Sequence, residues 1–278
     1  MRFRSTLVIA AMVTLGLGAA PGGGAAEPVL AVAPVRVGAA LASPSASADP
    51  VVHAATPAGV RSAGGLGWYS SNWAGYAVAA GPYRSVSGQW TVPAVVPTGR
   101  SSYSAQWVGV DGVSSDALIQ AGTEVSFFNG TAHYAAWWEI LPAPAVSIRT
   151  LTVRPGDVIS VTIARVAPGR WRITLKDGRS GSFTTTRGYA GPGASAEWIE
   201  EAPLVGSRIP PLAPHAPVVF DNATVNGAMA TLSVADAGAM LRRGMLVDTP
   251  SAPDADGNGF VVAQQATQPA QPARTCPR

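Results

Sequence analysis

From Leu66 to Ala263 the chain is a succession of short runs in which β-branched and aromatic residues alternate with polar ones, punctuated by Gly, Pro, Ser and Asp-Gly. Period-two alternation between turn residues predicts strands rather than amphipathic helices. The expected strands are Val86–Val92, Ser104–Val110, Ala117–Phe128, His133–Leu141, Val158–Val166, Trp171–Lys176, Ser182–Thr186, Glu197–Glu201, Val218–Val225 and Ala228–Val234. Asn129-Gly130 and Asp177-Gly178 suit tight hairpins, because those residues tolerate positive φ. Asp236–Arg243 reads as a brief helix or a loop. So many strands in about 200 residues imply an all-β sandwich or barrel.

Alternation also separates two faces. Val108 and Val110 share one side of their strand, Trp107 and Asp111 the other; Leu118, Gln120, Gly122 and Glu124 fall together, as do Trp137 and Glu139. A face carrying Trp107, Gln120, Glu124, Trp137 and Glu139 is too aromatic for plain solvent and too polar for a core. It has the character of a groove floor.

Composition places this domain within the chain. Arg2 and Arg4 precede an apolar run from Leu7 to Leu17 and small residues through Ala26, the pattern of a secretory signal over residues 1–26. That run is shorter than the roughly 20 residues a membrane span needs, and none follows, so a soluble, secreted, extracellular protein is expected. Residues 27–65 are rich in Ala, Val, Pro, Ser and Gly and read as a propeptide or disordered linker. Residues 66–263 form one domain, and 264–278 a disordered tail that holds Cys276. Of 19 basic and 16 acidic residues, six and two lie outside 66–263, so the formal +3 becomes about −1 within the domain. Without a basic cluster, nucleic acid is not an expected partner.

The available chemistry is narrow. Cys276 is the only cysteine, and only His133 and His215 fall within the domain, so Cys–His and Ser–His–Asp sites have little to be built from. Asp254-Ala255-Asp256-Gly257-Asn258-Gly259 has the spacing of half a calcium loop, but Gln265 stands where a bidentate Glu is wanted. No metal and no cofactor are expected. What remains is a carboxamide and a carboxylate, in Leu118-Ile119-Gln120-Ala121-Gly122 and Ala196-Glu197-Trp198-Ile199-Glu200-Glu201. Hydrolysis by this chain would run on a carboxylate.

Six segments in order resemble the eqolisins, the glutamic peptidases of family G1: Ser71–Tyr76, Val86–Pro93, Trp107–Gly112, Leu118–Glu124, Tyr134–Glu139 and Ala196–Glu201. The resemblance implies a concanavalin-like sandwich of two curved antiparallel seven-stranded sheets, a peptide groove on the concave face, and a Gln/Glu dyad working in acid. Carried over residue by residue, the dyad is Gln120 and Glu201. Glu200 departs from the family pattern, which has an aliphatic residue there, and Glu197 becomes a supporting or surface carboxylate. Trp73 and Trp107 would wall the groove, the alternative being buried sandwich aromatics. Glu139 and Glu124 would orient the dyad, and Asp111 sits in a Gly-Val-Asp-Gly turn that turn formation explains equally well. The expected function is a monomeric acid endopeptidase acting on polypeptides, without a covalent intermediate. Its rivals are a non-catalytic carbohydrate- or protein-binding sandwich and a glycosidase using Glu139 and Glu201.

Overall fold

A computed structural model describes residues 66–113, 115–264 and 267–272, and the backbone of 51–52. The signal segment, most of the 27–65 stretch, and Cys276 lie outside the described residues. In chain order the strands begin β1 (Val51–Val52), β2 (Trp68–Ser70), β3 (Trp73–Val78), β4 (Ser85–Thr91), β5 (Ser102–Asp111) and β6 (Leu118–Phe128). They continue with β7 (Thr131–Ile140), β8 (Val146–Ser147), β9 (Val158–Ala167), β10 (Arg170–Asp177), β11 (Gly181–Gly188) and β12 (Ala196–Glu201). The last are β13 (Leu204–Val205), β14 (Val218–Val225), β15 (Ala228–Met229), β16 (Ala237–Arg242), β17 (Met245–Pro250) and β18 (Phe260–Gln264). Among the described residues a 3-10 turn at Val234–Asp236 is the only helical element, and no helix is long and apolar enough to cross a membrane.

Hydrogen bonding runs β11, β10, β9, β4, β14, β18, β17, β16, β3, β12, β5, β6, β7, β8. The ladders on this path are antiparallel, and β2 adds in parallel to β16. The path is continuous, so hydrogen bonding marks no boundary between two sheets of seven strands. The layers come from packing. Val86 and Trp90 of β4, and Ile159, Val161 and Ile163 of β9, share one apolar cluster with Val108 and Val110 of β5, Ile119 of β6 and Trp198 of β12. The sheet thus closes on itself as a β-sandwich.

Burial along the strands shows where a site can be built. β9 and β10 alternate between buried and more exposed positions, as one-sided strands do, whereas β3 and β12 are buried at every residue. One face of β12 meets the inter-layer core; the other meets a second cluster of Trp73, Ala105, Trp107, Leu118, Trp137 and Ile199. The expected groove floor is this second face.

Nine of the ten expected strands are present, with ends moved by at most two residues. Three expectations need correction. Ala228–Val234 is a strand only to Met229, because Thr231 takes φ 51° and the chain then enters the 3-10 turn. Asp236–Arg243 is neither helix nor loop but β16, held between β17, β3 and β2; its Ala, Met and Leu favour helix locally, and pairing overrides them. In the β10–β11 hairpin Gly181, not Gly178, takes the positive φ, while Asp177 accepts from Arg179 N at 2.9 Å. β3 escaped notice because Gly75 interrupts its alternation. A Cβ there would lie 2.1 Å from the Trp198 carbonyl oxygen, so the close approach of β3 to β12 requires glycine.

Candidate active site

Glu201 ends β12, opposite Trp73 on β3 and Ala105 on β5. Two residues back, Ile199 faces Trp107, which faces Gly122 and through it Trp137. Two further back, Glu197 faces Gly109, which faces Gln120 and through it Glu139. Gln120 and Glu201 therefore share one face with β5 between them, offset by four residues along that strand, and Trp107 lies midway. The indole is seated by Gly122: a Cβ there would lie 2.1 Å from the Gln106 carbonyl oxygen and 2.6 Å from Trp107 Cβ.

Both ends of the expected dyad are held. Trp107 Nε1 donates to Glu201 Oε2 at 2.8 Å and Asn72 Nδ2 to Glu201 Oε1 at 3.2 Å. One donor on each oxygen fixes the orientation of the carboxyl group. Asn72 is itself fixed, since Ser70 Oγ donates to its Oδ1 at 3.0 Å and accepts from the Asn72 and Trp73 amides. Gln120 Nε2 donates to Glu139 Oε2 at 2.8 Å.

The remaining expected residues divide. Trp73 and Trp107 meet edge to face at 4.9 Å and are buried with Leu118, Trp137 and Ile199, as packed aromatics. Glu124 lies in the Ala105–Glu201 row and accepts from Ser126 Oγ at 2.8 Å. Asp111, at φ 71°, accepts from Tyr189 Oη at 2.6 Å, Gly193 N at 2.9 Å and Ala194 N at 2.6 Å. It ties the 189–194 loop to the end of β5. Glu197 is not on the surface: it is fully buried, and desolvation, with Asp111 adding, pushes its carboxyl well above the usual range. Asn72 was not among the expected site residues; its Ser-x-Asn-Trp setting was visible, its contact with Glu201 across 129 residues was not.

Residues 71–246 match the sequence profile of the Peptidase A4 family. The chain belongs to that family, the glutamic peptidases or eqolisins. This peptidase is 29% identical to aspergillopepsin-2 of Aspergillus niger over 197 residues, 62% of this chain and 70% of that protein. Its fold matches aspergilloglutamic peptidase from Aspergillus niger with a TM-score of 0.51 at 27% identity, over 59% of this chain and 99% of the other. It matches scytalido-glutamic peptidase with a TM-score of 0.60, over 70% of this chain and 98% of the other; at 23% identity that likeness is one of fold. Family and fold together make the protein a glutamic-type endopeptidase.

The glutamic peptidase departs from the family pattern at Glu200, and the structure places that carboxylate on the opposite side of β12, in the inter-layer core. Gln106 Nε2 donates to Glu200 Oε2 at 2.8 Å, and His215 Nε2 lies 2.9 Å from Oε1. Glu200 is thus a core residue with partners of its own, and the carboxylate on the face of Trp107 and Gln120 at this end of β12 is Glu201.

The Trp107 contact gives a direct expectation. Trp107→Phe keeps an aromatic ring and removes the N–H on Glu201, and a hydrogen bond to a charged group is worth about 1.5–3 kcal/mol. Peptidase kcat/KM is expected to fall roughly tenfold or more, with the far-UV spectrum retained. Unchanged kinetics would mean that the indole only packs.

Proposed function

We propose that this glutamic peptidase is secreted and cleaves polypeptides in acid through Gln120 and Glu201, by direct attack of water and without a covalent intermediate. Glu201 takes a proton from the water as its oxygen attacks the scissile carbonyl carbon. Gln120 donates an amide N–H to the developing oxyanion. The protonated Glu201 then passes that proton to the amide nitrogen as the C–N bond breaks, leaving a carboxylic acid and an amine. The observation that carries this reading is the double anchoring of Glu201 by Trp107 and Asn72, on the same face as a Gln120 anchored by Glu139. Peptide substrates accord with the relative solved with the tripeptide Ala-Ile-His.

Unfolded casein and haemoglobin, tested beside polysaccharides at acid pH with Gln120→Ala and Glu201→Ala as controls, separate the peptidase from the glycosidase and the binding module. Fragmented protein, intact polysaccharide and two silent variants are expected. Chelators are expected to leave the rate unchanged, because Asp254 Oδ1 closes its own turn by accepting from Asn258 N and Gly259 N, each at 3.1 Å. Loss of activity in EDTA restored by calcium would instead make that loop a metal site.

Residues 1–26 act in this reading as the export signal, and 27–65 as a propeptide. In support, Val51–Val52 pair with Leu204–Val205, which begin three residues beyond Glu201. On acidification the precursor is expected to shorten to a species beginning between Ala55 and Ser71, more slowly in Glu201→Gln. N-terminal sequencing checks it: a fully active protein beginning at Glu27 would make the stretch a linker.

A further inference from the structure

The core side of β12 carries a charged group at a place where apolar packing would serve. Glu200 has no exposed surface and the His215 side chain is only 2% exposed. His215 presents Nε2 to Glu200 and Nδ1 to the Ala216 carbonyl oxygen at 2.8 Å. Glu200 Oε1 and the Ala216 oxygen are acceptors, and Gln264 Nε2, 3.2 Å from Nε2, donates to the Ala213 carbonyl oxygen at 2.8 Å, so a proton on each ring nitrogen satisfies both acceptors and makes the contact a carboxylate–imidazolium pair. The titratable groups facing this imidazole are Glu200 from β12 and Asp248 from β17. On its other side Glu200 is held by Gln106 Nε2, whose Oε1 accepts from Thr123 Oγ1 at 3.3 Å.

The pair joins residues 15 apart, at the two ends of a loop that leaves β12 directly after Glu201 and returns to it. Between them that loop is fixed to neighbours by backbone bonds from Tyr103 N to Pro211 O and from Ala213 N to Tyr103 O, and by Arg242 Nη1 to Pro210 O. Glu200 and Glu201 share a peptide unit and point to opposite faces. A displacement of one carries the other, and a misplacement of about 1 Å is enough to cost up to a hundredfold in rate.

We propose that Glu200 and His215 are positioning residues: their buried charge pair staples the 202–214 loop beneath β12 and so holds the Glu201 carboxylate on Trp107 and Asn72. This rests on the reading of Glu201 as general base. Neither residue touches substrate.

The test is kcat and KM at acid pH and 20 °C, on variants whose folding is verified by circular dichroism. His215→Gln and the apolar pair Glu200→Ile with His215→Leu are each expected to lose roughly tenfold in kcat with KM within about twofold. The apolar pair is expected to melt within about 5 °C of the parent, since a well-packed apolar replacement of a buried ion pair is often neutral. Unchanged kcat in folded variants would reduce the pair to a stabilising contact and overturn the proposal. Should both variants fail to fold, histidine NMR on the unaltered protein decides: His215 is expected to stay protonated to about pH 9, and titration near 6.5 would overturn the pair. Glu201→Gln in the same assay separates the two readings. A silent Glu201→Gln beside unaffected pair variants sinks the staple alone; an active Glu201→Gln beside slowed pair variants sinks the reading of Glu201.

Discussion

Glu201→Gln is expected to lower kcat by roughly a thousandfold or more, because a carboxamide neither takes the proton from water nor delivers it to the leaving amine. The substitution removes almost no volume, and its oxygen still accepts from Trp107 or Asn72, so the protein is expected to fold. Gln120→Ala removes the proposed oxyanion donor and the partner of Glu139, and a loss of about a hundred- to a thousandfold is expected. Glu200→Gln is the informative neighbour. Its side chain lies on the other face of β12 against Gln106 and His215, so its expected loss is no more than roughly tenfold. Steady-state kinetics on one peptide, with melting temperatures alongside, checks all three. Silence in Glu200→Gln with tolerance in Glu201→Gln would move the general base by one residue and across the sheet.

The second large effect is on stability, and three buried groups set its sign. Burial pulls the His215 pKa down, but the charge and hydrogen bond of Glu200 outweigh it and the value rises to about 9. Desolvation raises the Glu197 carboxyl, with Asp111 adding, and desolvation with the charge of Glu200 raises that of Asp248. Each group binds its proton more tightly folded than unfolded, so stability falls as pH rises. The His215 contribution is fully present below about pH 6.5, the unfolded value, and is lost as pH climbs through about 9. It amounts to roughly 3 kcal/mol, or about 6–12 °C in melting temperature for a domain of this size. Glu197 and Asp248 act in the same direction from the ordinary carboxylate range upward. Calorimetry between pH 5 and 10 is expected to show a melting temperature that declines throughout, most steeply above 6.5. A maximum near pH 8 would show that these groups do not hold their protons in the folded state.

What the sequence disclosed follows from which contacts are local. Alternation marks a strand through its own residues, so β5, β6, β7 and β12 were legible, and with them the face shared by Trp107, Gln120, Trp137 and Glu139. The Asn129-Gly130 hairpin was legible for the same reason, and both residues take positive φ, 51° and 73°. β3 and β16 were hidden, because Gly75 and a helix-favouring Ala/Met/Leu composition speak against strand until a neighbour pairs with them. The partners of the site's carboxylates were hidden too. Asn72 reaches Glu201 across 129 residues and His215 reaches Glu200 across a loop, and no spacing rule links such pairs. Glu197 was misjudged as a possible surface group because alternation gives the face of a residue, not how deeply that face is covered.

The central claim is that water, deprotonated by Glu201 while Gln120 donates to the oxyanion, attacks the peptide directly. Intact-protein mass spectrometry answers it when the enzyme is quenched during acid turnover of a short peptide in ¹⁸O-water. The expected result is unmodified enzyme at every time point, one ¹⁸O in each new C-terminal carboxyl, and no cleavage by Glu201→Gln. An acyl adduct on the enzyme, or undiminished cleavage by Glu201→Gln, would contradict it.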